Sequence, residues 1–393
     1  MKMALESKEL SIPHLFLCPI SLDLLTDPVT LSTGQTYDRK QIEKWFSGGN
    51  ITCPVTMQKL NDTSLVPNHT LRHHISRWLL SRQGMNQQIM KKKTAKLFAL
   101  KAVIQSPENS QPTKLDVLQE IKVLLAECDT WQKVFLRELG FFPLLLRLLL
   151  QSPSFGSLEL PELALDCILL LLPATSSHMN SVNMMKTESN LAALVLLLDQ
   201  GNIKIRTGLC LLLERIASSP ETQELSATLG QNSEILQILV SLLKNVSEAQ
   251  SSEGAMRAIS SICSLERNRD RAVREGVVDA IVFYLSNPGR QNVSVALSTM
   301  ELLVDVENGK KALIESSNGI GVVVKMVFRV SFEQEESEHA VGSLLTVCSS
   351  SMEACEKAVS AGAITKLLLL LQSQCSMKPK AKARTLLKLL KSI

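Results

Sequence analysis

From Lys114 onward the chain is periodic. AMRAISSIC begins at Ala255, ALSTMELLV at Ala296 and AVGSLLTVC at Ala340, with ALDCILLLL at Ala164 and TGLCLLLERIA around Gly208 as earlier copies, 41 to 47 residues apart. A second marker keeps step: REGVVDAIVFYLSN, SSNGIGVVVKMVFRV and SAGAITKLLLLLQS set Gly276, Gly319 and Gly362 before long apolar runs. The more diverged LRELGFFPLLLRLLLQ and TESNLAALVLLLDQ extend the series toward the amino terminus through longer loops. Periods of this length belong to helical solenoids. Each glycine breaks a helix and permits a sharp turn, and the small residues opening the next helix allow close approach. One such unit cannot bury its own apolar face, so five or six must stack into a continuous core. Residues 114–393 are therefore expected to form an α-solenoid and the chain to be mainly α. An aromatic content of only 4% suits helix-on-helix packing.

The remainder divides in two. Residues 81–113 read as a polar, basic linker carrying one short helix, AKLFALKAVIQ, followed by a loop with Pro107 and Pro112. Residues 12–80 read as a compact two-loop domain built from IPHLFLCPISLDLLTDPVTLSTGQTYDRKQIEKWF, TCPVT and SLVPNHTLRHHISRWL. Its helix is expected to start at Asp38, where Asp followed three residues later by Gln41 has the form of a capping box. Ile42 and Phe46 should then face inward, with Trp45 near the rim. Asp27-Pro28-Val29 and Thr33-Gly34-Gln35-Thr36 read as turn and short strand, and Asn68 after Pro67 as a turn or cap.

Cys18 and Cys53 have no partner cysteine two or three residues away, so neither loop completes a tetrahedral zinc site locally. His69, His73 and His74 are read as solvated rather than as ligands. A metal-free domain of this size is marginal. Apolar contacts from Phe16, Leu22, Val29 and Ile42 are expected to hold the loops, with hydrogen bonds from Ser21, Asp23, Thr33 and Thr56.

The balance of 42 basic and 38 acidic residues, net +4, lacks the field of a nucleic-acid-binding protein. Nine scattered cysteines without a CxxC pair fit reduced thiols in the cytoplasm, and the nucleus is a second option. The start MKMALESKEL has no apolar h-region, and no apolar run approaches the roughly 18 residues of a membrane span, so a soluble protein is expected. Lys91, Lys92, Lys93 and Lys96 read as a solvated linker. The basic amphipathic end KPKAKARTLLKLLKSI reads as a cap on the last repeat, with membrane association not expected.

The ordered string CPISLDLLTDPV, GQTYDR, IEKWF, CPVT and LVPNHTLR resembles the U-box, a zinc-free relative of the RING domain. The periodic part resembles armadillo repeats by period and glycine placement. The combination is similar to a large family of plant ubiquitin ligases, some of which restrain immune or drought signalling. The resemblance implies a small α+β U-box followed by a right-handed α-solenoid of armadillo-type repeats. It also implies an E3 ligase that holds a ubiquitin-charged conjugating enzyme (E2) for direct transfer to substrate lysines, with the substrate recruited by the array.

In that family the first loop inserts an apolar residue into the E2, a position held here by Ile20 of Cys18-Pro19-Ile20. Pro54 matches the second-loop proline, and Trp45 matches the helix contact, although half-burial in the domain's own core remains open for it. Phe16, Asp27, Pro28, Tyr37, Asp38, Arg39, Ile42 and Asn68 would build the domain. No metal, cofactor or covalent nucleophile is implied, and neither Cys18 nor Cys53 has a general base placed beside it by sequence. Self-association through the U-box is a further option. Where many relatives carry a side-chain donor bridging E2 and ubiquitin, this chain has Met57, which leaves open an alternative: an armadillo adaptor with a weak or inactive U-box.

Overall fold

The computed structural model describes residues 13–82, 96–97, 99–106, 110–128, 133, 136, 137, 139–151, 158–172, 179–328 and 334–392. They fall into two compact units, one ending before Leu100 and one beginning there. Residues 99–105, within the stretch read as a linker, are helical and bury Leu100 and Ile104.

The first unit is built on a three-stranded antiparallel sheet. β1 (Pro28–Thr30) lies between β2 (Thr36–Asp38) and β3 (Val66–Pro67), with Val29 opposite Tyr37 on one side and Pro67 on the other. Helix α1 (Arg39–Ser47) follows β2 directly, and α2 (His69–Arg82) follows β3. Cys18, Leu25, Val29, Leu31, Tyr37, Ile42, Cys53, Leu60 and Ile75 form the enclosed core. Phe46 packs against this core but stays half-buried, because it lies in the last turn of a helix only nine residues long.

Among the described residues, the second unit consists of helices and short 3₁₀ turns. It runs α3 (Gln111–Ala126), α4 (Phe141–Gln151), α5 (Glu159–Leu171), α6 (Glu188–Gln200), α7 (Ile203–Ala217), α8 (Gln223–Gln231) and α9 (Ser233–Lys244). It continues with α10 (Ala249–Cys263), α11 (Glu266–Arg274), α12 (Val277–Ser286), α13 (Val293–Val304), α14 (Glu307–Glu315) and α15 (Gly319–Val327). The last four are α16 (Gln334–Cys348), α17 (Met352–Ser360), α18 (Ala363–Gln372) and α19 (Met377–Lys391).

Two parallel rows emerge. Helices α3, α5, α7, α10, α13, α16 and α19 each pack on the next, and α4, α6, α9, α12, α15 and α18 form the second row. Each repeat thus meets mainly its neighbours, as nearest-neighbour stacking requires.

Two of the three repeat glycines behave as the sequence predicts. Gly276 and Gly362 have φ of 83° and 84° and open α12 and α18 from the left-handed region, which costs other L-residues about 1–2 kcal/mol. Gly319 has no such φ. It opens α15 where a Cβ would lie 2.6 Å from the Leu313 carbonyl oxygen, so close approach, not handedness, requires it.

Ion pairs tie the first row together one repeat apart: Lys122–Asp166 at 2.6 Å and Arg257–Glu214 at 2.9 Å. Glu301 of α13 meets both His339 of α16 at 2.6 Å and Lys382 of α19 at 2.9 Å. The terminal helix buries Leu386 and Leu390 with Pro379 and Ala383, and leaves Leu387 and Leu389 half-buried. No described helix is long and apolar enough to cross a membrane.

Candidate functional site

The two loops of the first unit are copies of one structure. In CPISLD, the Cys18 carbonyl accepts from the Leu22 amide at 2.8 Å and the Cys18 amide donates to the Asp23 carbonyl at 2.8 Å. In CPVTMQ, the Cys53 carbonyl accepts from Met57 at 2.8 Å and the Cys53 amide donates to Gln58 at 2.9 Å. Leu17 bridges Leu24, and Thr52 bridges Lys59 in the same register. Proline fixes φ at the second position of each, and the fifth residue turns left-handed, with φ 60° at Leu22 and 57° at Met57.

Holding a branched or long side chain there is unfavourable by about 1–2 kcal/mol. Strain of this kind persists only where the surroundings over-determine it. Its effect is to project both side chains outward: Leu22 is 72% exposed and Met57 67%. Leu22 is therefore not a core contact, contrary to the expectation from its apolar character. The sequence signal for this was the alignment of CPISLD on CPVTMQ.

Both loops hang from neighbouring residues of β2. The Cys18 thiol is fully buried and accepts the Asp38 amide at 3.3 Å. Its side chain supports the first loop from inside and presents no surface to a partner. The buried Cys53 thiol meets the Tyr37 hydroxyl at 3.0 Å and accepts from the Thr33 hydroxyl at 3.4 Å. The Tyr37 hydroxyl in turn accepts the Val55 amide at 3.1 Å.

Burial opposes ionisation of Cys53, but hydrogen bonds from Thr33, Thr56 and Tyr37 outweigh it and bring the thiol down to about 6. Burial, followed by the Cys53 hydrogen bond, pushes the Tyr37 phenol up. The thiol acts as an enclosed acceptor; at zero exposure it has no path to an incoming thioester.

Asp38 stands at the N-cap of α1, yet its side chain makes no capping bond. The carboxylate turns back to accept the Thr26 amide at 2.8 Å, the Thr26 hydroxyl at 2.7 Å and the Asp27 amide at 3.0 Å. Three donors at the exit of the first loop outbid the helix amides, so the capping-box expectation fails. Asp27 binds Arg39 Nε at 2.8 Å and Arg72 of α2 on its other oxygen. Asn68 caps α2 by accepting the Leu71 amide at 3.0 Å, while its amide donates toward Thr30 and Thr36. Pro28 is buried in β1. Phe16 packs edge-on to Trp78 at 5.4 Å.

What remains outward is a patch of small apolar groups. Pro19 is exposed, Ile20 and Pro54 are half-buried, and Val55 is 50% exposed. Trp45 is also half-buried: its indole N–H donates to the Thr52 carbonyl at 2.9 Å, fastening α1 to the second loop. It serves the domain's own packing and still shows an edge. His69, His73 and His74 are exposed, and no cluster of three metal-ligating side chains occurs among the described residues.

The U-box domain family covers residues 12–84, and the plant U-box protein ARM repeat region covers residues 99–393. The chain belongs to the plant U-box family with armadillo repeats. It is 31% identical over 391 residues to U-box domain-containing protein 26 of Arabidopsis thaliana, spanning 97% of this chain and 92% of that one. It is likewise 31% identical over 392 residues to E3 ubiquitin-protein ligase PUB23 of Arabidopsis thaliana, spanning 97% and 93%.

Among solved structures, an engineered protein superposes with TM-score 0.58 at 20% identity, covering 76% of this chain and 68% of its own. A computationally designed armadillo repeat protein for modular peptide recognition gives TM-score 0.51 at 20% identity, covering 63% and 99%. These two share the fold.

In this U-box the hydrogen bonds of Asp27, Asp38, Tyr37 and the two buried thiols tie both loops to the sheet and helices. Prolonged chelation with EDTA is therefore expected to leave the melting temperature of the native protein unchanged. A drop of several degrees, restored by zinc, would show that the loops depend on metal after all.

Proposed function

We infer that this chain is an E3 ubiquitin ligase whose U-box binds a ubiquitin-charged E2 and whose armadillo array recruits the protein substrate. The observation that carries the reading is the pair of matched loops, which hold Pro19, Ile20, Leu22, Pro54, Val55 and Met57 outward on a framework fixed from beneath. Such a patch suits a small, transient interface, typically below about 1,200 Å². The ligase supplies no nucleophile. Its contribution is to hold the thioester near an acceptor lysine in restricted geometry, which converts an encounter between separate molecules into a local one. All nine cysteines are free, which supports the cytosol or nucleus as its compartment.

The deciding experiment combines the purified full chain with ubiquitin, activating enzyme and a panel of E2 enzymes. Polyubiquitin products with at least one E2 are expected. No product with any of them would leave the adaptor reading, which Met57 favours because it offers no hydrogen-bond donor at the second loop tip.

Met57 also gives a graded test. Arginine would suffer the same left-handed backbone as methionine, so the substitution is conformationally neutral, and it would add a charged donor at an exposed tip. A charge-assisted hydrogen bond contributes about 1.5–3 kcal/mol, so Met57→Arg is expected to raise the rate of chain formation about ten-fold. An unchanged rate in single-turnover discharge of the charged E2 would remove the second loop tip from the activation step.

A further inference from the structure

Between α12 and α15 the array encloses a cleft of about 320 Å³ lined by Asn287, Arg290, Val293, Asn318, Val322 and Lys325. Among the described residues no carboxylate pairs with either of its two cations. Arg290 lies 4.9 Å over the Tyr284 ring, one of its terminal nitrogens is buried without an acceptor, and Lys325 is exposed without an ion-pair partner among the described residues.

The acid that holds this loop is already committed. Glu253 accepts the Tyr284 hydroxyl at 2.5 Å, the Gln291 and Asn292 amides at 3.2 and 3.1 Å and the Asn292 side-chain amide at 2.6 Å. Those bonds pin the loop that carries Arg290 and occupy the Glu253 oxygens with donors other than its guanidinium. The larger cleft between α6 and α9, about 530 Å³, shows the contrast: there Arg206 is bonded to Glu248 at 3.3 Å and to the Asp199 carbonyl at 2.7 Å, and Asp199 and Glu234 line the walls.

A guanidinium and an ammonium that line one cleft, with no carboxylate paired to either among the described residues, favour an incoming anion that accepts from both. Two cations match a dianion better than a single carboxylate. The apolar walls Val293 and Val322 suit aliphatic side chains beside the charged one. We propose that the cleft of Arg290 and Lys325 is a recognition site for a phosphorylated serine or threonine on a protein that the array recruits. This rests on the reading of the array as the recruiting module and adds the chemistry it selects.

The test uses the full-length chain, immobilised, and two synthetic peptide libraries, degenerate except for a fixed central phosphoserine or serine. The phosphoserine library should be retained at least ten-fold more than the serine library, and retention should fall steeply with salt. Arg290→Gln and Lys325→Gln should each cut retention several-fold, and together bring it to the serine level, with melting of the array unchanged.

Equal retention of the two libraries, or retention indifferent to both substitutions, overturns the proposal. So does binding confined to vesicles containing phosphoinositides, or inorganic phosphate binding as tightly as the library. Because the readout is binding alone, failure here leaves the ligase assay untouched, and an inactive U-box would leave this result standing.

Discussion

Ile20→Ala should abolish ubiquitin chain formation in a reconstituted assay while the U-box still folds. The first loop is shaped by main-chain bonds of Cys18, Leu22 and Asp23 and by the buried Cys18 thiol, none of which involves the Ile20 side chain. Ile20 is half-buried against the core cluster, so its truncation stays below the roughly 2–5 kcal/mol of a fully enclosed site. An anchor at the centre of a partner interface contributes about 2 kcal/mol or more. In a contact that is weak to begin with, a loss of that size lowers occupancy about thirty-fold.

Leu22→Ala provides the control within the same loop. Its side chain is exposed and contributes little to the fold, so any loss of activity there reads docking alone. The measurements are product formation over time and the thermal melt of each variant. If Ile20→Ala forms chains at the wild-type rate, the first loop is not where the E2 docks.

How much of this was legible without coordinates follows from the kind of interaction involved. The repeat period and its glycines exposed the array, because helix stacking writes its needs at fixed spacing. Position groups Gly319 with Gly276 and Gly362, yet sequence does not separate a left-handed turn from a close approach. In the U-box, Ile42 and Trp45 followed from helical spacing.

Leu22 and Asp38 did not. An apolar residue beside a core run reads as core unless the left-handed turn that ejects it is recognised. An aspartate at a helix start reads as a cap unless the competing donors, Thr26 and Asp27, are known to lie opposite. The sequence shows no partner cysteine beside Cys18 or Cys53, but their use as acceptors for Asp38, Tyr37 and Thr33 depends on contacts 16 to 20 residues apart.

Asp27 is another buried acceptor in the U-box, and the one that carries a charge pair. The residue is buried and joins three elements: its carboxylate holds Arg39 at the start of α1 and Arg72 in α2, and its amide donates to Asp38 at the end of β2. Removing one partner of a buried pair costs about 3–5 kcal/mol because the remaining charge is left desolvated. A domain of roughly 70 residues has only about 3–10 kcal/mol of stability in total.

Asp27→Ala should therefore unfold most of the U-box at 25 °C and abolish ligase activity with it. The array, whose core is separate, should be unaffected. Hydrogen exchange in the full-length chain reads both: protection across residues 13–82 should collapse while that of α7 to α16 stays at the wild-type level. Removing the facing charge as well relieves the desolvated guanidinium, so Asp27→Ala with Arg72→Ala should be less destabilised than the sum of the two single variants. Undiminished protection in Asp27→Ala, or strict additivity in the double variant, would mean that apolar packing alone holds these loops and that the buried carboxylate contributes nothing to them.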